Sequence, residues 1–126
     1  MQEVISINTT GEATGTPYMG DFTVKLQLTK KEQFRADAIR REVLGPSPLN
    51  NEPAPKLQTD AFIIGQLAVR IEKAPKFWSD SSNGLDLPEG DDNLLYMLYN
   101  EILTKIEEQN TKLREQAKKA LETLAK

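Results

Sequence analysis

The sequence predicts an α+β fold, mainly helical, with an amino-terminal β-hairpin and a long protruding carboxy-terminal helix. Three observations carry that expectation. Residues 21–28 (DFTVKLQL) alternate apolar and polar side chains with the two-residue period of a strand. Residues 56–73 (KLQTDAFIIGQLAVRIEK) repeat apolar side chains at helical spacing. Beyond residue 93, Leu94, Leu98, Ile102, Ile106, Leu113, Ala117, Leu121 and Leu124 continue a thin apolar stripe almost to the last residue.

Taken in order, residues 3–7 (EVISI) are β-branched on both faces and read as a short strand, and residues 9–16 (TTGEATGT) read as a mobile loop. In the second strand Phe22, Val24, Leu26 and Leu28 project to one side. Pairing the two strands gives a hairpin over residues 3–28, which must pack on something because an isolated hairpin is marginal in water. Thr29 and Glu32 form a capping-box pattern that starts a helix over residues 30–44. Its expected inner face carries Phe34, Ala38, Ile39, Val43 and Leu44, its outer face Arg35, Arg40, Arg41 and Glu42, and Gly45-Pro46 stops it.

Four prolines make residues 46–55 an extended connector. The helix over 56–73 has the widest apolar face, with Leu57, Ala61, Ile64, Ala68 and Ile71 flanked by Phe62, Ile63, Leu67 and Val69, which places it at the centre of the core. Gly65 within it costs about 1 kcal/mol of helix propensity relative to alanine, so a close approach of a neighbouring element is expected there. Ala74-Pro75 ends this helix, Phe77 and Trp78 follow, and an acidic loop over 79–92 leads to a last helix capped by Asp91, Asp92 or Asn93. Some thirty helical residues make a rod of roughly 45 Å, longer than a domain of this size is wide. The expected division is therefore a compact domain over residues 1–101 and an extension of the terminal helix over 102–126.

Composition narrows the function classes. With 38% hydrophobic and 28% charged residues and no apolar run approaching roughly 18 residues, no membrane span is expected. The start of the chain lacks the basic and apolar regions of a secretory signal, so action in the cytosol where the chain is made is expected. The absence of cysteine and histidine removes disulfides, thiolate chemistry, the usual general base and the commonest metal ligand. Sixteen basic and nineteen acidic residues are interspersed to a net charge of -3, which argues against nucleic acid as a partner.

Candidate chemical sites are weak. Residues 80–91 resemble a calcium loop at a glance, but Gly84 falls at the fifth loop position and Asp91 stands where a bidentate glutamate belongs. Asp80, Asp86, Asp91 and Asp92 fit better as the acidic entry to a helix than as a hydrolytic carboxylate pair. Lys25, Lys30, Lys31, Arg35, Arg40 and Arg41 are interleaved with Glu32, Asp37 and Glu42, the pattern of a solvated face. No catalytic, cofactor-binding or metal-binding residue is assigned.

Two features point to partners. Phe77 and Trp78 either close the core at the exit of the central helix, the favoured reading, or present an interface anchor. Ile102, Ile106, Gln109, Leu113, Ala117, Ala120 and Leu124 follow spacings of 4, 3, 4, 4, 3 and 4, close to a heptad seam with one added residue. Such a stripe wants a partner surface, or else belongs to a single exposed helix held by charge pairs. The candidate partner-binding set is thus Phe77, Trp78, Ile102, Ile106, Leu113, Ala117, Leu121 and Leu124, and homo-oligomerisation is among its expected uses.

The order of PYMGDFTVKLQLTKKEQFRADAIRREVLG, DAFIIGQLAVRIEKAPKFW and GLDLPEGDDN before a terminal helix resembles small tailed-bacteriophage morphogenesis proteins over residues 18–102. The resemblance implies a non-enzymatic virion structural or assembly protein, found in the virion and in the host cytoplasm during assembly. Its implied partners are other phage structural proteins, namely capsid, connector or tail subunits. It equally fits a tail assembly chaperone, which binds a tail protein during morphogenesis and is absent from the mature particle. The early strand and long terminal helix depart from a plain helical chaperone and suit docking on a repeated surface, by strand addition to a sheet edge among other routes.

Overall fold

The computed structural model describes residues 2–46 and 54–125. It contains β1 (Gln2–Thr10), β2 (Pro17–Lys25), α1 (Lys30–Leu44), α2 (Pro55–Arg70), β3 (Ile71–Lys73), α3 (Lys76–Asp80) and α4 (Asn93–Ala125), an α+β arrangement dominated by helix. β1 and β2 pair antiparallel over their full lengths, from Gln2 opposite Lys25 to Thr10 opposite Pro17. Both strands extend further towards the turn than the sequence predicts, because Asn8, Thr9 and Thr10 pair with Met19, Tyr18 and Pro17. Leu26 and Leu28 leave the ladder, although Leu26 remains buried.

The central helix ends three residues earlier than expected, and Ile71–Lys73 becomes a third strand on the open edge of β2. Periodicity alone carries the helix through Ile71. Two other forces win: β2 offers unpaired backbone groups, and the residue before a proline, Ala74, disfavours helical backbone. The order β1-β2-β3 leaves β1 at one edge.

One face of the sheet contributes Ile5, Ile7, Tyr18, Phe22 and Val24 to the core, where they meet Leu94, Leu95, Leu98 and Ile102 of α4 and Ile63, Ile64 and Leu67 of α2. The opposite face exposes Val4 and Met19. α1 is an outer element packed on α2. Its capping box forms as expected: Glu32 N–H donates to Thr29 Oγ1 at 3.1 Å and Thr29 N–H to Glu32 Oε1 at 3.0 Å.

The inner face of α1 differs from the sequence reading. Its buried residue is Ala36, while Phe34 is 72% exposed and Ala38 is also on the surface. Two residues along a helix turn the chain by about 200°, so burying Ala36 necessarily sends Phe34 outward. Ala36 is chosen because it faces Gly65: a Cβ on Gly65 would fall well inside contact distance of the Ala36 carbonyl oxygen and 3.4 Å from Arg40 N. The two helices meet backbone to backbone, the close approach that Gly65 predicts. Leu57 and Phe62 of the expected apolar face of α2 are likewise exposed, since that face is wider than the core it meets.

Of the predicted proline-rich connector, residues 47–53 lie outside those described; Pro46 precedes them, and Pro55 is the first residue of α2.

Candidate interaction surface

Trp78 and Phe77 stand on α3, a single helical turn that follows the Ala74-Pro75 stop. The Trp78 ring is 2% exposed and meets Phe22 edge to face, with centroids 5.6 Å apart at 83°. Phe77 is half-buried and bridges Phe22 at 6.1 Å and Tyr18 at 5.3 Å. The following loop folds over the indole: Ser82, Asn83 and Gly84 all have positive φ, and a Cβ on Gly84 would stand 2.8 Å from Trp78 Cη2. Ring and loop close the core, so the anchor reading of Trp78 is corrected: no partner reaches this side chain without opening the fold.

The acidic loop has its own structural task. Asp91 is fully buried, and its carboxylate accepts from Ala13 N (3.1 Å), Thr14 N (3.2 Å), Thr14 Oγ1 (2.7 Å) and the Tyr18 hydroxyl (2.7 Å). Asn93 continues the clasp, accepting from Glu12 N and donating to Thr10 O. The loop of residues 11–16, expected to be mobile, is thereby held by the entry to α4. Of the three expected caps, Asp91 and Asn93 turn their side chains to the hairpin. Asp92 pairs with Lys56, which also binds Asp60 at 3.0 Å.

These contacts set the electrostatics. The Thr14 hydroxyl, followed by the Tyr18 hydroxyl and the backbone N–H groups, holds the Asp91 carboxyl below its usual range against the opposing effect of burial. Glu32 is lowered to about 2, chiefly by its hydrogen bond from Lys25. Lys56 is raised by its two aspartates. Carboxylates held ionised in this way are poor proton acceptors near neutrality and fit structural clasps. Among the described residues, no group of three or more His, Cys, Asp or Glu is placed to hold a metal ion. No helix among them is long and apolar enough to cross a membrane.

α4 spans 33 residues, about 50 Å. Its contact with the body outlasts the predicted boundary at residue 101: Ile102 is fully buried, Ile106 packs against the core and Gln109 is buried. Ile102 therefore belongs to the chain's own core and is withdrawn from the partner-binding set. From residue 111 to residue 125 every side chain is exposed, including Leu113, Ala117, Leu121 and Leu124.

Where the helix leaves the body, Glu3 and Leu26 of the sheet end and Lys105, Gln109, Lys112 and Leu113 of α4 border a groove of about 220 Å³. A second cleft of about 260 Å³ opens between α1, α2 and the loop after α3, beside Leu57, Asp60, Leu85 and Asp92.

No family model, curated protein or solved structure matches this chain.

The sequence reading missed Leu103, a 43% exposed leucine beside the buried Ile102. Both residues lie at helical spacing from Ile106, four and three positions back, and periodicity alone does not choose between them. Phe62 was missed in the same way, an aromatic assigned to the core that stands 45% exposed against Tyr99.

Proposed function

We propose that this chain is a non-enzymatic structural or assembly protein, of the tailed-phage morphogenesis kind its sequence resembles, which docks on other subunits through its terminal helix. The observation that carries the reading is the exposed run of residues 111–125, a helix with leucines at 113, 121 and 124 that are 43%, 68% and 82% exposed. An isolated helix of this length is marginal in water, and its stability ordinarily comes from packing of its apolar stripe. The buried, clasped Asp91 carboxylate and the ion-paired Glu32 support a scaffold role over acid–base chemistry.

The testing measurement is mass spectrometry of gradient-purified particles from the system that encodes the chain, with copy number referred to the major capsid protein. Stoichiometric presence supports a virion component. Presence in infected-cell lysate with absence from particles refutes that role and moves the assignment to a tail assembly chaperone.

A further inference from the structure

We infer that the terminal helix pairs antiparallel with the same helix of a second copy, centred between Asn110 and Leu113. The inference rests on the proposed function only in treating this helix as the docking element, and it names the partner. With Ile102 committed to the core and Leu103 exposed, the free seam restarts one residue later than the sequence spacing suggests. Leu103, Ile106, Asn110, Leu113, Ala117, Ala120 and Leu124 are spaced 3, 4, 3, 4, 3 and 4, an unbroken heptad pattern. Leu103, Leu113 and Leu124 are 43%, 43% and 82% exposed, so these leucines of the seam are open to solvent, while Ile106 is half-buried where it also touches the core.

Charge selects the direction. Residues 101–108 hold Glu101, Glu107 and Glu108 against Lys105, whereas residues 111–119 hold Lys112, Arg114, Lys118 and Lys119 against Glu115. A parallel pair would lay acidic on acidic and basic on basic. An antiparallel pair brings each acidic segment onto the other copy's basic one, and sets Glu107 beside the second copy's Arg114 on both sides of the two-fold axis.

Side-chain size selects the register. Centring the axis between residues 111 and 112 places Leu103 opposite Ala120 of the second copy, Ile106 opposite its Ala117, and Asn110 opposite its Leu113. Leu103 and Ile106 near the body each meet an alanine near the tip, the alternation that lets facing positions interdigitate, while the smaller Asn110 meets Leu113 at the centre. The same register brings Leu124 of the second copy to the position opposite Tyr99, where exposed Phe62 stacks edge to face at 6.1 Å. A surface aromatic pair on the body and a bare leucine at the helix tip thereby cover one another. A parallel pair would leave both in water.

The test is the mass of the full chain by sedimentation equilibrium and light scattering at low and high salt. The expected result is a dimer that dissociates on dilution and weakens with salt, and that becomes monomeric in Leu113→Asp with helical circular dichroism preserved. Phe62→Ser is expected to weaken it. Because the chain has no cysteine, single cysteines read the direction cleanly: a mixture of Leu103→Cys and Ala120→Cys should form the mixed disulfide, and Ala117→Cys alone should form none. Disulfides need Cα atoms within about 7 Å, and antiparallel pairing holds the two copies of residue 117 far beyond that. A monomeric parent, a dimer untouched by Leu113→Asp, or an efficient Ala117→Cys homodisulfide each overturns the inference. A monomeric parent that still co-purifies stoichiometrically with particles would overturn the dimer alone, leaving the proposed function intact.

Discussion

Gly65→Ala gives a prediction whose sign depends on the structure. At an unconstrained helix position the change adds about 1 kcal/mol of stability, because alanine orders less backbone entropy than glycine. Here the new methyl would overlap the Ala36 carbonyl oxygen and touch Ala36 C and Arg40 N, each 3.4 Å away. These are backbone atoms of another helix, and no side-chain rotation relieves them. Carbon contacts are comfortable at roughly 3.5–4.0 Å, so α1 must lift from α2 by about an ångström. Overpacking of this kind costs about 1–3 kcal/mol. Set against the propensity gain, the net effect is a loss of up to about 2 kcal/mol. That corresponds to a fall in Tm of roughly 3–5 °C per kcal/mol for a chain of this size. Thermal unfolding followed by Trp78 fluorescence measures it, and hydrogen exchange should show the lost protection concentrated in α1. A Tm above that of the parent would refute the backbone-to-backbone packing of α1 on α2.

Three further outcomes follow from the same geometry. Phe22→Ala, which removes the ring between Phe77 and Trp78, should cost about 3–5 kcal/mol in urea unfolding, and Phe22→Asp should abolish folding; a soluble, cooperative Phe22→Asp protein would contradict the placement of the core. Buried Trp78 should emit at short wavelength and resist acrylamide quenching until the fold opens, and ready quenching of the native protein would return it to the surface. Asp91 and Glu32 both have folded pKa values below the unfolded values near 4, so each stabilises the fold above about pH 4 and loses that contribution as pH falls towards the folded value. Urea unfolding between pH 6 and pH 2 should therefore show a steep acid limb that is flattened in Asp91→Asn and in Glu32→Gln, and a limb unchanged in both variants would be the contrary result.

The sequence reveals the elements better than their joints. Alternation from Phe22 to Val24 and the Thr29 and Glu32 box each state a local requirement that is met locally, and the glycine at 65 marks the close crossing that α1 supplies. The end of α2 is different, because Ile71 satisfies both a helix face and a strand; only the presence of β2's open edge decides. Phe34 and Ala36 show the same limit. A large apolar residue ranks above a small one in any periodicity, yet a close helix crossing needs the small one. The surface was partly legible for a related reason. Leu113, Ala117, Leu121 and Leu124 are exposed along the expected stripe, but Trp78 and Ile102 belong to the core, since the same apolar character serves a core and an interface. From sequence Asp91 reads as a helix-end charge, because its partners, Ala13, Thr14 and Tyr18, are distant in the chain and carry no mark of the pairing.

That distance bears on how the molecule is born. The bond from Ala13 to Asp91 joins residues 78 positions apart, and ribosomes add about 5–20 residues per second. The hairpin tip therefore waits roughly 4–16 s after its own synthesis before the carboxylate that secures it exists. During that interval β1 and β2 lack both their clasp and the α4 face on which Ile5 and Phe22 pack. Contacts so remote in sequence also slow the search for the native state, since long loops must close before they are rewarded. The nascent amino-terminal third is consequently the portion most open to capture by other chains, and the arrival of the acidic loop is the event that ends its exposure.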